Sequence, residues 1–284
     1  MRPGAWLLAA VRSRTGLAGV LLLLVLAAAA FIGPLFLDGP LAQNLDERYV
    51  RFSVDHPMGT DQFGRDMFSR VASATRGSIT VGVAVAALAG VLGGLIGLFS
   101  GYAGGRTDML VQRAVDAIMS LPLVVLALAI VVAAPASRWG IILALSIGFA
   151  PLAIRVTRSS ALSLRVSGYA EAARAMGASD AAIVLRHVIP NAAGPWLIII
   201  GAQLGAAVLA ESSLSFLGFG APSTQPSLGL LIGGDAQTFI HRAPWMVLWP
   251  GAAITMLVLG VNLLSDALAE ALRGPDAAGL SSAT

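Results

Sequence analysis

The sequence predicts an all-α polytopic membrane protein with six transmembrane helices. Three observations predict it. Hydrophobic residues make up 57% of the 284 residues, against roughly 45–50% in an average soluble chain. Charged residues are only 12%, about half the usual ~25%. Six apolar segments reach or approach the ~20 residues that a helix needs to cross a bilayer core. A soluble chain of this length with so few charges could not cover its own surface. The composition therefore disfavours a soluble enzyme, a disordered tail and a nucleic-acid binder. The formal charge is +3, and all 18 basic residues are arginine. No basic stretch alternates with aromatics, so no nucleic-acid partner is expected. Cysteine is absent, which excludes disulfides, thiolate metal sites and cysteine nucleophiles.

The elements follow in order. Residues 1–16 form a tail carrying Arg2, Arg12 and Arg14. The first span, residues 17–37, has an apolar run too long for a signal-peptide core and reads as a retained anchor. Residues 38–78 form a polar segment on the far side. The core, residues 79–268, holds the other five spans. The second, 79–101, contains Gly90, Gly93, Gly94, Gly97 and Gly101, overlapping small-xxx-small pairs that let helix backbones approach closely in lipid. The third is 117–134. The fourth, 137–157, is the weakest, because only 140–154 is free of charge. Arg138 and Arg155 would have to snorkel to the two interfaces. The fifth is 192–216, where Gly201 and Gly205 repeat the small-residue spacing. The sixth is 245–268, followed by a tail at 269–284.

Arginine placement sets the orientation. The first tail has three arginines and no acid, and the stretch 155–190 has Arg155, Arg158, Arg165, Arg174 and Arg186 against Glu171 and Asp180. Residues 38–78 are nearly balanced. Six crossings with both termini in the cytoplasm satisfy the positive-inside rule.

Most information lies in the cytoplasmic loop 158–191. Ser167 can cap a helix, with Glu171 in its first turn, where the dipole favours an anion. Ala170, Ala172, Ala173 and Ala175 are strong helix formers. Gly177 ends this helix, as a residue free to turn left-handed would. Ser179 and Asp180 start a second helix, whose last turn holds Arg186 and His187. Pro190 stops it or starts the fifth span. A small-faced helix held at the membrane surface suits docking by another protein. It also suits a plain solvated connector.

Other chemistry has little support. His56, His187 and His241 are isolated, and neither an HExxH nor a GxSxG pattern occurs. A phosphate-binding GxxxxGK[ST] loop is impossible without lysine. If ATP drives this chain, another chain hydrolyses it. An ion-coupled carrier or channel is the alternative, but such carriers usually hold several ionisable residues near the midplane, and only Glu211 lies well inside a span.

Glu171-Ala172-Ala173, then Gly177, then Ile189-Pro190 resembles the EAA motif of ABC-importer membrane subunits. The stretch from His56 to Asp66, including Gly59, Thr60, Asp61, Gly64 and Arg65, is similar to the HPxGTDxxGRD stretch of the C-type permease of the dipeptide and oligopeptide branch. Asp116 with Ser120-Leu121-Pro122, Ala210 to Gly218, and Asn262 to Asp266 resemble further stretches of that branch, with Ser265 where glycine is frequent. The likeness covers residues 17–273.

That resemblance implies a type I ABC importer permease fold in the cytoplasmic membrane. It implies a homologous second permease, two cytoplasmic ATPases that bind ATP and Mg, and an extracytoplasmic substrate-binding protein. This chain would be no enzyme and would hold no cofactor or metal. The coupling loop would present Tyr169, Glu171, Ala172, Ala173, Arg174, Met176, Gly177, Ala178, His187 and Pro190. Glu171 would help hold the coupling helix, and Gly177 would supply its turn. Peptides and nickel chelates are cargoes of the branch.

Two sites stay open at the level of the residues. Glu211, with Ser212 and Ser215, could line the substrate path, hydrogen-bond a partner helix, or meet the N-terminal amine of a peptide, and the plainer expectation is a structural pair near the outer membrane face. Thr60 or Asp61 is expected to cap a helix rather than, with Asp66, to bind metal.

Overall fold

The computed structural model describes residues 5–33, 39–133, 137–220 and 225–273. The ends predicted for the first and third spans, at 34–37 and 134, lie outside the described residues, as does most of the tail 269–284. The described residues are helical apart from their connections, and one isolated bridge pairs Thr60 with Asp66.

The N-terminal stretch is more than a tail. Helix α1 (Ala5–Arg12) packs on the last helix of the chain, and α2 (Arg14–Phe31) forms the first span. Ser13 separates them and accepts the Gly16 N–H at 3.0 Å as the cap of α2.

Helix α3 (Met67–Ala103) is the centre of the bundle. Its 37 residues reach about 55 Å at ~1.5 Å per residue, well beyond the ~30 Å hydrocarbon core. The helix therefore begins within the segment predicted to lie outside the membrane at 38–78, ahead of the span read as 79–101. Two glycine stripes on α3 decide the packing. Beta carbons at Gly93 and Gly101 would sit 2.8 Å from the carbonyls of Ala150 and Arg158 on α6 (Arg138–Arg165). Gly90 and Gly94 face Ile200 and Trp196 on α9 (Ile189–Phe216). Only glycine lets the α3 and α6 backbones approach this closely, as the sequence spacing predicts, and on the other side it makes room for the Ile200 and Trp196 side chains of α9.

The third span departs from expectation. Residues 117–134 do not form one straight helix. Helix α4 (Gly105–Met119) and α5 (Leu123–Ala133) meet at 88° across Ser120-Leu121-Pro122. Pro122 has no N–H to donate, and it pushes Leu121 out of helical geometry. Helix α5 packs on both α6 and α9, whereas α4 packs on α6 and α3. Among the described residues, five helices are long and apolar enough to cross a bilayer, and there are six if the bent pair is one span.

The fourth span is longer than its uncharged stretch suggested. Helix α6 continues to Arg165, so Arg155 is not at its end. Arg155 pairs with Asp116 at 2.8 Å, and Arg158 holds Asp108 through two hydrogen bonds of 2.6 Å. Both acids lie on α4, so these pairs clamp α4 across α6. Arg138 does reach outward, donating to Gln225 at 2.6 Å. Short helices α7 (Gly168–Ala175) and α8 (Asp180–Ile183) precede α9. Helices α10 (Leu228–Ile232) and α11 (Asp235–Thr238) lead to α12 (Trp245–Arg273).

Candidate functional site: the coupling loop and the outer knot

The loop between α6 and α9 begins at Ser167, which takes the extended cap conformation before α7. Its hydroxyl does not cap, but donates to the Leu164 carbonyl at 2.6 Å. The end of α7 is a Schellman turn. Gly177 N–H donates to Arg174 O at 2.9 Å, and Ala178 N–H reaches back to Ala173 O at 3.0 Å. Gly177 has φ +81°, so the left-handed turn read from the sequence is present. Ser179 caps α8, accepting from Ala182 N–H at 3.3 Å.

The second short helix does not stop at Pro190. It passes through one π-turn (Val184–Val188) straight into α9. Pro190 cannot donate to the carbonyl four residues back, and Ile189 N–H bonds instead to Val184 O, five residues back. Pro190 thus opens the fifth span, and the loop is rigidly continuous with it.

The alanine face divides in two. Ala170 and Ala173 are buried against Leu98, Ala161, Ile183 and Val188 of the same chain. The small face expected to receive a partner is therefore partly used inward. Outward lie Tyr169, Glu171, Ala172, Met176, Gly177 and Ala178, with Met176 82% exposed. The Glu171 side chain is exposed and makes no hydrogen bond or ion pair with the described residues, and its charge acts on Arg174 one turn further on. Arg174 turns back, donating to Arg165 O at 3.1 Å. His187 lies beside Tyr169, ring centres 5.9 Å apart.

At the other end of α3 the stretch from His56 to Asp66 closes into a knot. Asp61, 1% exposed, accepts Phe63 N–H at 2.8 Å, Arg65 N–H at 2.9 Å, Arg65 Nε at 2.6 Å and Arg70 Nη1 at 2.5 Å. Thr60 donates to Glu47 O and accepts Val50 N–H at 2.9 Å. Trp245, opening α12, donates to Thr60 O at 3.0 Å. Gly59 and Gly64 make the turns, at φ +76° and +69°. Neither Thr60 nor Asp61 caps a helix; Asp66 caps α3, accepting Ser69 N–H at 2.7 Å. A loop already knotted around Asp61 delivers the next acid to the helix start. Asp61 faces guanidinium groups and Asp66 faces His56 at 2.9 Å, so the two carboxylates do not converge as metal ligands. Burial works against a protonated His56, but the hydrogen bonds and charges of Asp66 and Glu47 outweigh it and raise its pKa.

The sequence that builds this arrangement is similar to those of known proteins. The family model described as "Binding-protein-dependent transport system inner membrane component" matches residues 93–273. The chain belongs to this family. A putative peptide transport system permease protein of Brucella suis is 37% identical over 263 residues, covering 92% of this chain and 88% of the relative. A dipeptide transport system permease protein of Alkalihalophilus pseudofirmus is 34% identical, covering 92% and 86%. An oligopeptide transport system permease protein of Bacillus subtilis is 31% identical, covering 92% and 85%. The chain is thus a multi-pass inner-membrane permease subunit of an ABC transporter, and the ion-coupled alternative falls away.

Within the permease, Glu211 is 3% exposed. Its carboxylate accepts from Ser78 on α3 at 2.8 Å and from Ser215 on its own helix at 2.8 Å. These two hydrogen bonds tie α9 to α3 through Glu211. Ser212 is buried beside it. Residues that the sequence did not single out complete the coupling loop. Tyr102, in the last turn of α3, donates to Asp180 Oδ1 at 2.6 Å. Nothing in residue spacing brings position 102 to position 180. The tyrosine just before Gly104-Gly105 was the only visible signal.

Proposed function

We propose that this permease forms half of the translocation pathway of an ATP-driven importer of dipeptides or oligopeptides. Its proposed partners are a homologous second permease, two cytoplasmic ATPases that bind ATP and Mg, and an extracytoplasmic binding protein. The termini and the loop 158–191 lie in the cytoplasm. The peptide cargo rests on the names of the relatives. The mechanism rests on one observation: α7 shows its outer face to solvent and ends in a fixed turn, and α8 on the far side of that turn runs through the π-turn into α9.

An ATPase that grips the outer face of α7 moves α9 through the hydrogen-bonded Gly177 turn and α8, which is continuous with α9. ATP binding then shifts the permease pair between inward-open and outward-open states. It shifts them only by its different affinity for the two. This chain binds no nucleotide in that scheme. It converts displacement at α7 into a change in the packing of α3, α6 and α9.

The test is uptake of labelled di- and oligopeptides by cells carrying the whole system. Gly177→Val adds no clash, since nothing lies within 4 Å of its new β carbon. It does force a branched side chain into a left-handed residue, at about 1–2 kcal/mol. Glu171→Lys reverses an exposed charge whose side chain makes no hydrogen bond with the described residues. Both variants insert normally and abolish uptake. Normal uptake by either overturns the coupling reading.

A further inference from the structure

The coupling loop is covalently continuous with α6 and α9, but not with α3. Yet α3 is the helix on which α6 and α9 both pack. Its link to the loop is therefore non-covalent. Part of it is apolar: Leu98 packs with Ala170, Ala173, Ile183 and Val188. Apolar contact has no preferred direction and resists sliding poorly.

The directional part converges on one side chain. The Tyr102 hydroxyl donates to Asp180 Oδ1 at 2.6 Å and accepts from Arg174 Nη2 at 3.4 Å. The Arg174 guanidinium also stands 5.9 Å from the Tyr102 ring centre. Arg174 closes α7 and Asp180 opens α8, so the phenol bridges both sides of the Gly177 turn. Arg174 extends the link to the end of α6 through Arg165 O at 3.1 Å, and Arg165 reaches Ala103 O on α3 at 3.4 Å. Four helix ends are tied through one hydroxyl and two guanidinium groups.

We infer that Tyr102 is the positioning residue that locks the cytoplasmic end of α3 to the coupling loop, so that a displaced loop carries α3 along with α6 and α9. This rests on the loop being the seat of an ATPase. Without the hydroxyl, the loop still receives the motor's movement, but α3 lags. The expected defect is uncoupling: nucleotide is consumed, and less cargo crosses per turnover.

The experiment uses the whole complex in proteoliposomes, with binding protein and a labelled peptide, and reads peptide transported per ATP hydrolysed. Tyr102→Phe keeps the ring and removes the hydroxyl. Peptide per ATP falls about fivefold, the scale of one lost hydrogen bond, while assembly and stimulated hydrolysis persist. Asp180→Ala, which leaves the tyrosine in place, gives the same loss, and the double variant gives no more than either. Asp180→Asn keeps an acceptor oxygen and restores the ratio. A merely structural role would lower assembly and leave the ratio alone. An unchanged ratio in both Tyr102→Phe and Asp180→Ala overturns the inference. Failure of the underlying reading looks different: the unmodified complex would then show no hydrolysis tied to transport.

Discussion

The outer knot and the coupling loop sit at opposite ends of α3 and use their polar residues in opposite ways. In the knot, Asp61 is sunk beneath two arginines and two backbone N–H groups. In the loop, Glu171 stands in solvent with no hydrogen-bonded or ion-paired partner among the described residues. Both acids belong to short motifs, and both flank a left-handed glycine, Gly64 in one case and Gly177 in the other. Their surroundings separate a residue that builds the bundle from one that a partner must reach.

The largest expected effect sharpens that contrast. Asp61→Asn removes the charge that two nearly buried guanidinium groups share. Breaking one side of a buried ion pair costs about 3–5 kcal/mol. The knot is tied to α12 through Trp245 and to α3 through Asp66, so the loss spreads to both helices. Thermal unfolding of the detergent-solubilised permease should fall sharply for Asp61→Asn. Glu171→Gln should leave it within about 0.5 kcal/mol, as exposed substitutions do. Equal stability losses would erase the distinction between the two regions.

The same contrast explains what was legible in the sequence. Spans α2, α3, α6, α9 and α12 were visible because lipid demands long apolar runs. The close α3–α6 approach was visible because glycine is the only residue that permits it. The turn at Gly177 was visible because a helix end writes its requirement locally. Long-range polar pairs were not. Asp108 meets Arg158 and Tyr102 meets Asp180 only after α3, α4 and α6 have packed. The break at Pro122 was present in the sequence, but the apolar run on both sides hid it. The helix cap was read one turn too early, because Thr60 and Asp61 are as good caps by type as Asp66. Only the knot's own closure decides among them.

A smaller effect tests which face of α7 is free. The chain has no cysteine, so single cysteines report cleanly. Ala172→Cys should label quickly and only from the cytoplasmic side, and bound ATPase should slow it. Ala173→Cys, at a position 5% exposed, should label at least about tenfold more slowly, because it waits for local opening. Equal rates would mean that α7 does not rest on the bundle. Labelling from outside would invert the orientation.

The smallest effect belongs to the knot again, and it depends on pH. His56 lies between Asp66 at 2.9 Å and Glu47 at 3.4 Å. Its pKa in the folded chain is raised, because these contacts outweigh its burial. Protons therefore bind the folded state more tightly than the unfolded one. The stabilisation is complete below the unfolded value of about 6.5 and is lost as pH rises through the folded value. Glu47 is half exposed, so its share is small, and the whole effect should stay under about 1 kcal/mol. Asp66 also caps α3, so losing the imidazolium loosens the cap from one side. Amide exchange in residues 47–70 should quicken from pH 6 to pH 8, beyond the intrinsic base catalysis seen in an unstructured peptide. His56→Gln should remove that excess without touching the α7 region. A protection profile that does not respond to His56 would show that Asp61 alone holds the knot.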